Sequence, residues 1–261
     1  MPELEYHIQD QVATILLNRP EVRNAFTLDM LDAWVAALDE AQHDVDVRVV
    51  VVRGTGGAFC AGIDLSTVRT GLGDTPLEHK DIVDTRIQSV PRAMESFDKP
   101  VIASISGAAT GAGLDLALMC DLRLAGTSGR LCEGYINAGF LPGEGGAYYL
   151  PRLIGYARAF EMLLGGEFVD AEEAHRIGLV NKVYADDKLL DATYATAQLL
   201  ASKPPAVARL MKRTLRQSAR SDLATSLDLV SSHMGLIRFD ADARTAYDDI
   251  RSRVGSDETA S

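Results

Sequence analysis

The chain has 261 residues, 47% of them hydrophobic and 24% charged, with a formal net charge of -11 at pH 7. That length and apolar content suit one large domain, or two small ones, with a full core. The acidic balance argues against nucleic acid or an anionic membrane as main partner, since both reward a basic surface, but leaves a small anionic ligand open.

The N-terminal stretch MPELEYHIQDQ is too polar for a signal peptide, and no apolar run is long enough to span a bilayer. Val12–Leu17 reads as a strand, broken by NRPEVRN. Thr27 can cap a helix in which Leu31, Trp34, Val35 and Leu38 recur at helical spacing. Residues 47–52 are β-branched and end at Gly54, Gly56 and Gly57, the pattern of a buried strand. Residues 67–81 mix Gly, Pro and charge without a period and are expected to form a mobile loop, a lid over a site. A second buried strand follows at 101–106, a buried helix at 113–119 and a returning strand at 122–125. LPGEGGAYYLPRLIG, beginning at Leu141, is a turn entering a helix. Asp170 caps AEEAHRIG, and 180–184 is a last short strand. From Asp186 the pattern is helical, with Pro204 and Pro205 parting two helices, and the tail SDETAS is expected to fray. Strands thus alternate with helices over residues 1–185, and helices alone fill 186–261, which gives an α/β core with a helical C-terminal region. Cys60, Cys120 and Cys132 show no disulfide or metal-ligand spacing, so reduced thiols in a soluble cytoplasmic protein are expected.

The stretch 100–121, PVIASISGAATGAGLDLALMCD, carries the most chemistry. An apolar run breaks at Gly107, and a second glycine cluster, Gly111-Ala112-Gly113, opens an apolar helix with Asp115 in its first turn. Small residues allow close approach to the backbone, and the first amides of a helix have no partner within it. Such N–H groups, aided by the helix dipole, stabilise negative charge, so an acid beside them suggests chemistry on a carbonyl that becomes anionic. Taken alone, FCAG and GAG are better read as glycines that let a loop pack on a helix.

Several segments in fixed order resemble the enoyl-CoA hydratase/isomerase, or crotonase, family. They are Asn18-Arg19-Pro20 with Asn24-Ala25, then AFCAGIDL from Ala58, Gly107 to Asp121, LPG to LPR between Leu141 and Arg152, and AEEAHRIGLV from Ala171. The resemblance implies a crotonase-like spiral of repeated ββα units, with C-terminal helices completing a homotrimer or dimer of trimers. It implies an acyl-CoA thioester as substrate, with no metal and no cofactor beyond the coenzyme A carried by that substrate. By position, the two backbone amides of the oxyanion hole fall on Ile63 and Ala112, where alanine replaces the commoner glycine. Arg23 falls where basic residues approach CoA phosphates, and the backbone from Ala61 to Asp64 falls at the adenine.

Asp115 falls at the first catalytic carboxylate, an aspartate in the dienoyl-CoA isomerase branch that GLDLALMCDLR resembles. The second glutamate of hydratases would fall at Tyr135, and a further aspartate of the dienoyl isomerases at Gly143, a departure at both positions. Glu144 stands beside the latter, between glycines that would let it turn into a pocket, and is taken as the second catalytic acid. Tyr135 is placed in substrate binding or the pocket wall. Glu133 is also near, but is read as a strand-end surface glutamate. His79 and His175 have no Ser or Cys partner for a hydrolase triad, and Lys212 and Arg213 are minor candidates for CoA contact.

The leading reading is an enoyl-CoA hydratase that adds water to a 2-enoyl-CoA thioester through a stabilised enolate. The alternatives are an enoyl- or dienoyl-CoA double-bond isomerase and, from another class, a catalytically silent acyl-CoA-binding protein.

Overall fold

The computed structural model describes residues 2–67 and 73–258. β1 (Leu4–Gln9) and β2 (Val12–Leu17) form an antiparallel hairpin whose turn residues, Asp10 and Gln11, both have positive φ. That backbone matches the twist of the two strands. Thr27 caps α1 (Leu28–His43) by accepting from Met30 N–H at 3.2 Å, as its position predicts. β3 (Val49–Gly54) then lies parallel to β2.

Residues 67–81 depart from the expected loop. Pro76–Ile82 is a helix, α2, with a full capping box between Thr75 and Glu78, and it runs through a π-helical turn at Val83–Ile87 into α3 (Ser89–Ser96). α2 buries none of its residues, so it leaves no apolar stripe in the sequence. Residues 68–72 of the expected loop lie outside the described residues.

β4 (Val101–Ile105) pairs with β3, and the chain turns at Gly107 into β5 (Ala108–Thr110) and α4 (Ala112–Leu118). β6 (Leu122–Gly126), β7 (Arg130–Cys132) and the single-turn α5 (Tyr135–Ala138) repeat that pattern. α6 (Gly146–Ile154), α7 (Tyr156–Gly165), β8 (Val169–Asp170), α8 (Ala171–Arg176) and β9 (Lys182–Tyr184) follow. The large sheet has the order β1-β2-β3-β4-β6-β9, and the second sheet β5-β7-β8. Phe26 bridges Ile63, Cys60 bridges Ala109 and β5 pairs with β7, all in parallel. Each turn of the chain therefore leaves one strand in the large sheet and one short extended piece in a second layer, and then a helix. That is the expected ββα spiral.

The large sheet is covered on both faces. Val50 and Val52 point into the main core with Phe26, Trp34 and Phe59, while Val49 and Val51 point the other way. There they meet Leu189, Ala197 and Ala201 of α9 (Asp186–Ala201). Burial on both faces is why the strand reads as an unbroken apolar run rather than an alternating one. α10 (Pro205–Ser218) is pinned by Lys212 Nζ, which donates to Lys99 O at 2.6 Å and pairs with Asp121 at 2.7 Å. α11 (Leu223–Ile237) and α12 (Ala241–Glu258) complete the chain, so the first part of the expected frayed tail is helical and 259–261 lie outside the described residues. No helix among the described residues is long and apolar enough to cross a membrane.

Candidate active site

The glycines of FCAG and GAG bring two loops together backbone to backbone. Gly62, at φ 94, sits where a Cβ would stand 2.9 Å from Thr110 O and 3.5 Å from Ala112 N. A Cβ on Gly113 would collide with Cys60 O. Around this contact the neighbouring amides are occupied. Phe26 N–H donates to Gly62 O at 2.8 Å, Asp64 N–H to Phe26 O at 2.9 Å and Asp115 N–H to Gly111 O at 2.9 Å. Among the described residues the N–H groups of Ile63 and Ala112 donate no hydrogen bond. Both residues line one cavity of about 670 Å³. Two fixed donors in one cavity can hold an oxygen that gains negative charge.

Tyr135 and Glu144 line the same cavity. Asp115 is fully buried behind them, and Tyr135 Oη lies 2.7 Å from Asp115 Oδ2 and 2.7 Å from Glu144 Oε2. A phenol has one hydrogen, so it donates to one of these carboxylates and accepts from the other. Burial pushes Asp115 up to about 6 against the lowering effect of the Tyr135 hydrogen bond. Burial, and then the charge of Asp115, push Glu144 up to about 8. Burial also holds the Tyr135 phenol well above its usual range. Of the two carboxyls joined by Tyr135, Glu144 is therefore the one pushed further towards its protonated form, and Asp115 the one that keeps its charge more readily.

Glu133 corrects the reading of a surface glutamate. It is fully buried at the end of β7, and burial followed by the charge of Asp115 hold its carboxyl well above the ordinary range. Its position after an exposed Arg130 hid this, because the second layer turns inward there towards α4. Gly146 makes the room. A Cβ there would collide with Asp115 Oδ1 and stand 3.2 Å from Glu133 Oε1. Gly145, at φ 116, turns the preceding loop so that Glu144 enters the cavity.

The remaining candidates, Arg23, Ala61 and Asp64, do not line the cavity but adjoin Ile63 in the chain or through the backbone. Arg23 is exposed with left-handed backbone at φ 53, and its carbonyl accepts from Ala61 N–H at 3.0 Å, so these two residues are neighbours. Asp64 accepts from Ser66 N at 2.8 Å and Ser66 Oγ at 2.6 Å, and pairs with Arg19 Nη1 at 2.9 Å. The Ser66 hydrogen bonds, followed by the Arg19 contact, hold its carboxyl below the usual range. Arg19 was not singled out from the sequence; its place in NRP, before a turn that doubles back, was the available signal. His79 also lines the cavity, on α2. Lys212 is engaged with Asp121 away from it, and His175 Nδ1 lies 3.3 Å from Val180 O on α8. Burial pushes the Cys60 thiol up to about 12, which leaves no thiolate at neutral pH.

The model of a family described as enoyl-CoA hydratase/isomerase matches residues 7–243. A 2,3-dehydroadipyl-CoA hydratase of Escherichia coli is 36% identical over 231 residues, covering 87% of this chain and 87% of that protein. A 1,2-epoxyphenylacetyl-CoA isomerase of the same organism is 32% identical over 238 residues, covering 91% of each chain. The crystal structure of an enoyl-CoA hydratase of Mycobacterium smegmatis superposes with a TM-score of 0.90 at 32% identity, covering 97% of each chain.

Proposed function

The chain belongs to the enoyl-CoA hydratase/isomerase family, and on that premise we propose that it adds water across the double bond of a 2-enoyl-CoA thioester. The observation that carries this reading is the Glu144–Tyr135–Asp115 hydrogen-bonded chain opening onto the cavity that holds the unpaired N–H groups of Ile63 and Ala112. The thioester oxygen sits between those two donors. The CoA moiety follows the backbone from Ala61 to Asp64, with the Arg23 guanidinium beside its phosphates. No further cofactor is needed, because every step is a proton transfer or an addition.

The reaction starts with a shift along the chain. Glu144 passes its proton to Tyr135 as Tyr135 passes its own to Asp115, which leaves Glu144 as a carboxylate facing the cavity. Glu144 then removes a proton from water as the water oxygen bonds to C3. The π pair moves onto the thioester oxygen, where the two amides hold the enolate. Loss of one such donor costs about 3–4 kcal/mol of barrier in other enzymes. Glu144 returns the proton to C2 as the enolate collapses, and the reverse shift through Tyr135 restores the resting chain.

One observation favours a second reading. Of the three buried carboxyls at this site, Glu144 lines the cavity and Asp115 and Glu133 lie behind it. A single facing base suffices to move a double bond by taking a proton from one carbon and returning it to another. The test is mass spectrometry of 2-enoyl-CoA and 3,5-dienoyl-CoA thioesters incubated with the enzyme in heavy water. Hydration adds one water and places deuterium at C2, while isomerisation exchanges deuterium without adding water. Glu144→Gln is expected to lower kcat by about 10²–10⁴ with little change in CoA-thioester affinity. Undiminished turnover in that variant would remove Glu144 from the mechanism, and a wild-type protein that binds but never turns over would be an acyl-CoA binder. The exposed apolar side chains of α11 support a homotrimer or dimer of trimers, which we place in the cytoplasm.

A further inference from the structure

Glu133 has no part in the steps above, yet it is the most unusual side chain of the site. It is fully buried, neither of its oxygens has a hydrogen-bond partner among the described residues, and Asp115 Oδ1 is likewise unpartnered. These orphaned atoms converge, because Asp115 Oδ1 and Glu133 Oε1 both face the space left by the missing side chain of Gly146. Two ionised carboxylates cannot share such a space. A buried polar atom without a partner is also costly, so the pair is stable only with a proton between them. The groups that act on Glu133 are Asp115 from α4 and Glu144 from the loop before α6, with Tyr135 of α5 and Cys132 of β7 adjoining. No basic side chain acts on it among the described residues, and His79 and Lys80 of α2 stand across the cavity at its wall.

We infer that Glu133 is a positioning residue that keeps its own proton and turns it towards Asp115 Oδ1, fixing the negative charge of the site on Asp115 and the mobile proton on Glu144. In the structure the two carboxyls face the same space at Gly146 without a hydrogen bond of ordinary geometry between them, and the terminal carboxyl torsion of a glutamate is soft enough to turn. The consequence is directional. With Asp115 receiving one hydrogen bond from Tyr135 and one from Glu133, its carboxylate is the better acceptor, and the chain rests with Glu144 loaded as an acid. Without Glu133 the preference of the charge for Asp115 is weaker, and the proton is held less firmly on Glu144. A buried third acid thus sets the resting state of the two that do the work.

This inference rests on Glu144 being the group that faces substrate, so its test is made without substrate. Infrared spectra of the full-length, ligand-free protein, isotopically labelled at Asp or Glu carboxyls, are recorded through a pH titration of wild type, Glu133→Gln and Glu133→Leu. Wild type is expected to keep one protonated Glu carboxyl band above the range in which Glu144 titrates, and Glu133→Gln to lose it. The Asp115 titration, identified by its loss in Asp115→Asn, is expected to move up by about one pH unit in Glu133→Leu and to stay in place in Glu133→Gln, whose amide still donates. In turnover, the acid limb of kcat/KM moves with it and KM does not. Absence of the persistent band would overturn the inference. So would an unmoved Asp115 in Glu133→Leu, or an equal shift in Glu133→Gln. If the leucine variant fails to fold, the wild-type band and the glutamine variant still decide. A protein with the predicted titrations but no activity towards enoyl-CoA would refute the functional reading alone.

Discussion

Tyr135 occupies the point at which a second carboxylate would fall by resemblance, and its hydroxyl turns that loss into a link. Because it touches both Asp115 and Glu144 at 2.7 Å, the two acids titrate as one system rather than as separate residues. The kcat/KM profile is expected to be a bell. It rises as the pair loses its first proton, about 6, which frees a base, and falls as the second leaves, about 8, because two carboxylates beside the cavity then oppose the charge developing on the enolate. Tyr135→Phe removes a hydrogen bond that lowers both carboxyls, so both limbs of the bell should move to higher pH. It also cuts the relay, and kcat should fall by about 10². A bell with unmoved limbs in that variant would mean that Tyr135 merely fills the wall.

At the scale of elements, the site depends on how segments without a hydrophobic signature are held. α2 buries none of its residues, yet His79 and Lys80 on it line the cavity, and its start rests on the Thr75–Glu78 capping box. Thr75→Ala removes a bond of 3.2 Å to Glu78 N–H and is expected to cost the helix about 0.5–2 kcal/mol. The loss should be local. Hydrogen exchange should quicken over 78–82, KM should rise and the global Tm should hardly move, since no core side chain is disturbed. A large fall in Tm would show that α2 bears on the core in a way its exposure does not suggest. The opposite case is the paired contact of FCAG with GAG, where glycine is demanded by backbone lying within collision distance. There the chemistry of the cavity follows from packing that tolerates no side chain.

For the whole molecule, the main core and the face covered by α9 hold most of the buried apolar residues, and α11 adds none. Along α11, Leu223, Leu227, Val230 and Met234 fall on one helical stripe, with exposures of 74%, 59%, 39% and 61%. A stripe at that period belongs against another surface, and in the proposed trimer it meets a second copy of the chain. Leu227→Asp combined with Met234→Asp should convert the sedimenting species from trimer to monomer while leaving the circular dichroism of the α/β core in place. If the wild-type chain sediments as a monomer, the stripe serves some other contact.

The sequence by itself determined the alternation of strands and helices, the caps at Thr27 and Asp170 and the pairing of a glycine-rich loop with a helix start. These features depend on neighbours within a few residues, where propensity, capping and periodicity act directly. Asp115, Ile63 and Ala112 were named from motifs that recur in order and Glu144 from its place between glycines beside Gly143, and the structure brings Ile63, Ala112, Tyr135 and Glu144 to one cavity. Glu133 and α2 were not legible, for opposite reasons. A single acid after a short strand looks solvated until the β7–β5 pairing turns it under α4, and a helix held by caps alone leaves no apolar trace. Only the tertiary structure decided which acids meet at Tyr135 and at Gly146. Burial and through-space distance set that, and residues 115, 133, 135 and 144 acquire both only when successive turns of the spiral stack.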